Sequence, residues 1–129
     1  MKIHRFVHKN LLFILLVAIA VTTWSCSGGG RGSRERSPEI VDGGAIFHFE
    51  DRDASTVYLT GDFNNWSPKA DPMSDTNDDG EWTLFYSLAP GLYEYKFVVN
   101  GLRWVPDPRN PDSVPDGFNG ENSVVRIPK

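Results

Sequence analysis

A chain of 129 residues has room for one small domain and excludes an enzyme with separate catalytic and substrate domains. Residues 1–25 carry Lys2, Arg5 and Lys9 and no acid, so the chain from Cys26 onward holds 10 basic and 17 acidic side chains, a net charge of −7, which argues against nucleic acid as a partner. With 40% hydrophobic and 12% aromatic residues the chain is too apolar to be disordered, and its single cysteine leaves no internal disulfide to support the core.

The first ten residues, MKIHRFVHKN, are basic, and LLFILLVAIAV (11–21) is an unbroken apolar run of 11. A membrane span needs about 18 such residues, whereas the hydrophobic region of a signal peptide needs about 7–15. The expectation is therefore a signal peptide over 1–25. Ser25 precedes Cys26, which resembles a bacterial lipoprotein signal, with the cysteine lipidated as the first mature residue. An ordinary secretory signal or an uncleaved anchor is the alternative. The resemblance implies a cell-envelope location and a membrane partner through lipid on Cys26. Ser27 in second place implies the outer membrane; a secreted or periplasmic protein is the other possibility. After Cys26 comes SGGGRGSRERSPE (27–39), rich in Gly, Ser and Arg, and residues 26–41 are expected to form a flexible tether with a typical reach near ~20 Å.

Residues 42–129 form the expected domain. Short β-rich runs recur between turn residues: AIFHFE (45–50), TVYLTGD (56–62), EWTLFYSL (81–88), LYEYKFVV (92–99), RWVP (103–106) and SVVRIP (123–128). None shows a helical period, and nine prolines and twelve glycines punctuate the chain. This pattern predicts an all-β fold, an antiparallel β-sandwich. Alternation places Leu59, Leu84, Tyr95, Phe97 and Val125 inside.

Catalytic patterns are missing from the sequence. His48 is the one histidine after the signal, and there is no nucleophile elbow, phosphate loop or zinc-ligand spacing. The acids cluster in turns, where Asp and Asn serve the backbone. Asp75–Gly80 matches the first half of a calcium loop, but Tyr86 stands where a bidentate glutamate is needed, so a hairpin turn is expected. No enzyme activity, cofactor or metal is expected.

The aromatic residues point elsewhere. Trp66 follows Asn64 and Asn65 at the end of a strand, and Trp104 follows the turn dipeptide Asn100-Gly101. A pyranose has an apolar C–H face that stacks on indole, and a rim of hydroxyls for amide and lysine partners. Plugging the ends of the sandwich is the equal alternative on spacing alone.

VYLTGDFNNWSP (57–68), GLYEYKFVVNG (91–101), WVPDPRNP (104–111) and FNGENSVV (118–125) then recur in the order of a known family. Together they resemble a family-48 carbohydrate-binding module, the glycogen-binding domain of the AMP-activated protein kinase β-subunit and of isoamylases and branching enzymes. The resemblance covers roughly residues 42–128. It implies an immunoglobulin-like sandwich of the early-set type and binding of α-1,4-linked glucan. It also implies that Trp66 and Trp104 stack on sugar, that Lys96 and Asn122 bond glucose hydroxyls, and that Phe118 stands where the family has an inserting loop leucine.

The hairpin before Trp104 decides whether these residues share a face. A two-residue turn at Asn100-Gly101 sets Trp104 opposite Phe97, in the core. A three-residue loop, Val99-Asn100-Gly101, sets it opposite Lys96. The resulting expectation is a non-catalytic, envelope-anchored binder of glycogen- or starch-like glucan, with both tryptophans exposed on one side. A protein-docking module of early-set type is the competing expectation.

Overall fold

A computed structural model of the chain describes residues 36–129. The expected signal, Cys26 and residues 27–35 of the expected tether lie outside the described residues. Two antiparallel sheets face each other across an apolar interior. The smaller has the order β1-β2-β5, from β1 (Glu39–Val41), β2 (Gly44–Glu50) and β5 (Glu81–Ser87). The larger has the order β4-β3-β6-β9-β8. Its strands are β3 (Val57–Gly61), β4 (Asp71–Pro72), β6 (Gly91–Val99), β8 (Ser113–Pro115) and β9 (Glu121–Ile127). A further strand, β7 (Arg103–Val105), pairs with the end of β6.

The core follows from alternation. Phe47 and Phe49 of β2 meet Leu59, Tyr95, Phe97, Val99 and Val125 of the larger sheet, all buried. Phe49 and Phe97 stand with ring centroids 4.8 Å apart, and Phe47 meets Tyr95 edge-on at 4.9 Å. Leu84 is partly buried, packed against this cluster beside Trp82 and Tyr86. His48 lies on the opposite face of β2 from Phe47, its Nδ1 3.4 Å from Glu81.

Three short strands were not anticipated, because two or three residues carry no period. One of them corrects the expected boundary of the tether. Residues 39–41 pair with β2, and Ser37 is fully buried, its Oγ accepting from His48 N at 3.0 Å. The folded domain thus includes Ser37 and residues 39–41, which the expected boundary at 42 left to the tether. Asp75–Gly80 is a turn, as expected: its Asp75 carboxylate accepts from Asp79 N at 3.2 Å and Gly80 N at 2.9 Å.

The hairpin joining β6 to β7 fits neither of the two loops anticipated. Its three loop residues are Asn100, Gly101 and Leu102, with Val99 opposite Arg103 and Val98 opposite Trp104. Asn100 and Gly101 both take left-handed φ, 52° and 70°, and Leu102 N closes the turn on Val99 O at 3.1 Å. The register is fixed from outside the hairpin. Asn100 Oδ1 accepts from Ser55 N at 2.7 Å and Thr56 N at 3.1 Å, while Asn100 N donates to Thr56 O at 2.9 Å.

A buried polar group orders the chain between β7 and β8. The Tyr95 hydroxyl donates to Asp107 Oδ2 at 2.8 Å and accepts from Asn110 Nδ2 at 3.0 Å, while Asp107 N donates to Ser123 Oγ at 2.7 Å. Burial pushes the Asp107 carboxyl above its ordinary range and the Tyr95 hydroxyl likewise, the latter also through the nearby Asp107 charge.

Candidate functional site

Side chains of directly paired residues in antiparallel strands point to the same face. On the outer face of the larger sheet, β6 therefore presents Leu92, Glu94, Lys96 and Val98 in a row. Thr60 lies beside Lys96 and Tyr58 beside Val98 on one flank. Trp104 lies beside Val98 on the other, followed along β9 by Asn122, Val124 and Arg126. The last residues paired between β6 and β9 are Tyr95 and Ser123, which face the core. Lys96 and Asn122, one step further on each strand, share the outer face. The Asn100–Leu102 loop thus puts Trp104 on the lysine side, where its indole is 44% exposed.

Trp66 reaches the same region by a different route. After β3 the chain makes a single helical turn, Asp62–Asn64, and then two residues with left-handed φ, Asn65 at 54° and Trp66 at 57°. That conformation is costly for a bulky side chain and has to be held by its surroundings. Trp66 N donates to Gly61 O at 2.9 Å, and the indole Nε1 donates to Asp62 Oδ1 at 3.2 Å. The second Asp62 oxygen accepts from Glu94 N at 2.8 Å, tying the turn to β6. A Cβ on Gly61 would collide with the Glu94 backbone oxygen, so this close approach requires glycine. Trp66 is half-buried, not exposed as expected, because its turn folds back on the seam between β3 and β6. Asn64, whose amide looked available for sugar, is spent internally: it accepts from Gly61 N and donates to Leu59 O and to Asp71.

The polar groups of the face are already engaged. Lys96 Nζ donates to Asp116 Oδ2 at 2.6 Å, and only 11% of its side chain is exposed. The other Asp116 oxygen accepts from Phe118 N at 2.8 Å and Gly120 N at 2.9 Å, closing the loop between β8 and β9. These bonds, led by that to Lys96, hold the Asp116 carboxyl down to about 2. Asn122 is buried and donates from Nδ2 to Glu94 Oε2 at 2.8 Å. Phe118 stands out from its loop at 91% exposure. The structure thus brings Trp104, Lys96 and Asn122 onto one surface. The Trp66 turn is tied to one flank of it, and the Phe118 loop to Lys96.

Three acids escaped the sequence reading: Asp62, Glu94 and Asp116, which orient Trp66, Asn122 and Lys96 in turn. Each lies in a turn or on a strand face where acids are ordinary, and strand register alone shows what they meet. Thr60 is a fourth. It is fully buried beside Lys96, and its Oγ1 has no hydrogen-bond partner among the described residues.

Residues 45–129 match the family described as the glycogen recognition site of AMP-activated protein kinase. The chain belongs to this family. Protein PTST homolog 2 of Arabidopsis thaliana, a chloroplastic protein, is 39% identical over 74 residues, covering 57% of this chain and 13% of that protein. The human 5'-AMP-activated protein kinase subunit beta-2 is 40% identical over 73 residues, covering 57% of this chain and 25% of the subunit. The 1,4-alpha-glucan branching enzyme GlgB of Bacillus subtilis is 42% identical over 62 residues, covering 43% of this chain and 9% of the enzyme. The matched part of this chain thus spans a quarter or less of each of these relatives. As a glycogen-recognition module the domain is a glucan binder and is not itself catalytic.

Proposed function

We propose that the module binds α-1,4-linked glucan, of glycogen or starch type, through Trp66, Lys96, Trp104, Phe118 and Asn122. The protein as a whole catalyses nothing and is held at the cell envelope by lipid on Cys26, as an outer-membrane lipoprotein. One observation carries the glucan site. The Asn100–Leu102 loop sets Trp104 beside Val98, on the face of Lys96 and Asn122. Indole then stacks on the apolar side of a glucose unit while ammonium and amide meet its hydroxyls. The envelope reading rests on the apolar run of 11 residues ending just before Ser25-Cys26.

Native electrophoresis of the chain through gels with and without glycogen tests the binding. Retardation by glycogen is expected, and unchanged mobility of a folded chain would favour the docking module instead. Labelling cells with a fatty-acid analogue tests the anchor. Cys26→Ser should lose the label, and equal labelling of both forms would overturn lipidation.

A further inference from the structure

A groove of about 460 Å³ opens on the outer face of the larger sheet, beyond the residues assigned above. Leu92, Val124, Ser113, Asp112 and Arg126 line it. Its place follows from register. Leu92 pairs with Arg126 and Glu94 with Val124, so the groove begins one residue pair past the contact of Asn122 with Glu94. From Trp104, beside Val98, to Leu92 is six residues along β6, or about 20 Å at the rise of a strand. The glucan face and the groove form one continuous strip.

The lining has the composition that a sugar needs. Leu92 is 55% exposed on a sheet face, and with Val124 it offers a flat apolar floor. Arg126 is exposed, and its guanidinium has no hydrogen-bond or ion-pair partner among the described residues. Its planar fork suits a pair of vicinal hydroxyls, with the Asp112 carboxylate as acceptor on the opposite wall. Volumes of about 300–1,000 Å³ accommodate small ligands, so the groove takes a short run of glucose units.

We infer that this groove is a second subsite for the same α-glucan, occupied by the part of the chain that runs on past Asn122 and Glu94. The inference rests on the glucan reading above. It adds a specificity: the module prefers chains long enough to cover both halves of the strip. An apolar shelf with an exposed guanidinium in line with the first half gains affinity because the second contact is intramolecular once the first is made.

Titration calorimetry of the full-length chain with maltotriose, maltotetraose and longer maltooligosaccharides tests this, in a detergent without a sugar headgroup. Affinity should rise roughly tenfold between the short and the long ligands. Arg126→Ala and Leu92→Ser, both at exposed positions, should abolish that rise while leaving affinity for maltotriose and the unfolding midpoint unchanged. Length-independent binding by the wild-type chain overturns the second subsite and leaves the first intact. A rise that survives both substitutions also overturns it. Failure of every ligand, glycogen included, removes the glucan reading itself.

Discussion

Lys96 and Asp116, twenty residues apart in sequence, meet at 2.6 Å, and the same carboxylate closes the loop that carries Phe118. The lysine of the proposed glucan face and the loop beside it are therefore set by one side chain. Asp116→Ala should release both at once, lowering affinity for glycogen roughly fivefold. Asp116→Asn keeps an oxygen for Phe118 N and Gly120 N and should lose less. Affinity electrophoresis in graded glycogen gives both values; an unchanged Asp116→Ala would show that the loop and lysine act independently.

The same carboxyl predicts a response to acid. Its pKa in the fold, about 2, lies below the ordinary 3.8, so the unfolded chain takes up this proton first on acidification. Stability contributed by Asp116 is thus fully present above the ordinary aspartate range and is lost as pH falls toward about 2. Asp107 opposes it. Its carboxyl is raised, so the fold holds the proton more tightly and loses stability as pH climbs through the raised value. Thermal unfolding between pH 2 and pH 6 should show a weaker acid-side decline in Asp116→Asn than in the wild type.

Trp104→Ala should reduce glucan affinity by about 1–3 kcal/mol, on the scale of planar rings stacking on aromatics. Trp104 stands on the sheet's outer surface at 44% exposure, so the unfolding midpoint should stay within a degree or two of the wild type (surface changes are worth about ±0.5 kcal/mol). Trp66→Ala differs in kind. It removes the bond to Asp62 from a half-buried turn, so both affinity and midpoint should fall. Calorimetry with maltoheptaose beside thermal melts separates the two.

In the core, Phe97→Ala should cost about 3–5 kcal/mol, since the ring is fully buried against Phe49 and Tyr95. Thr60→Val should go the other way. The buried hydroxyl has no partner among the described residues, and a methyl of similar size removes a desolvation cost of about 1 kcal/mol. Denaturant melts of the two variants should shift in opposite directions.

The long strands were legible because β2, β5, β6 and β9 alternate over seven residues or more and each turns one apolar face toward the core, that of β5 only partly buried. The edge strands β1, β4 and β8 were not, being held by pairing rather than by pattern. The hairpin shows the limit most sharply. Asn100 and Gly101 announced a turn, but the frame of the loop is set by bonds from Asn100 to Ser55 and Thr56, forty-four or more residues away. At the site, Trp104 and Lys96 were readable as chemistry. Their neighbours Glu94 and Asp116 were not, because a carboxylate's partner is decided by register and loop closure.

The first strand of the domain, β1, lies at the edge of the smaller sheet, while the proposed glucan strip lies on the outer face of the larger one. The polypeptide therefore reaches β1 on the layer opposite the proposed binding face. A bead, a chip or a fused partner joined upstream of Ser37 attaches behind the binding surface and leaves the strip facing outward. A graft onto Lys129 is less favourable, because it follows directly from β9, which carries Asn122, Val124 and Arg126. For capture of a large branched polysaccharide, N-terminal immobilisation is the geometry that keeps the whole strip accessible.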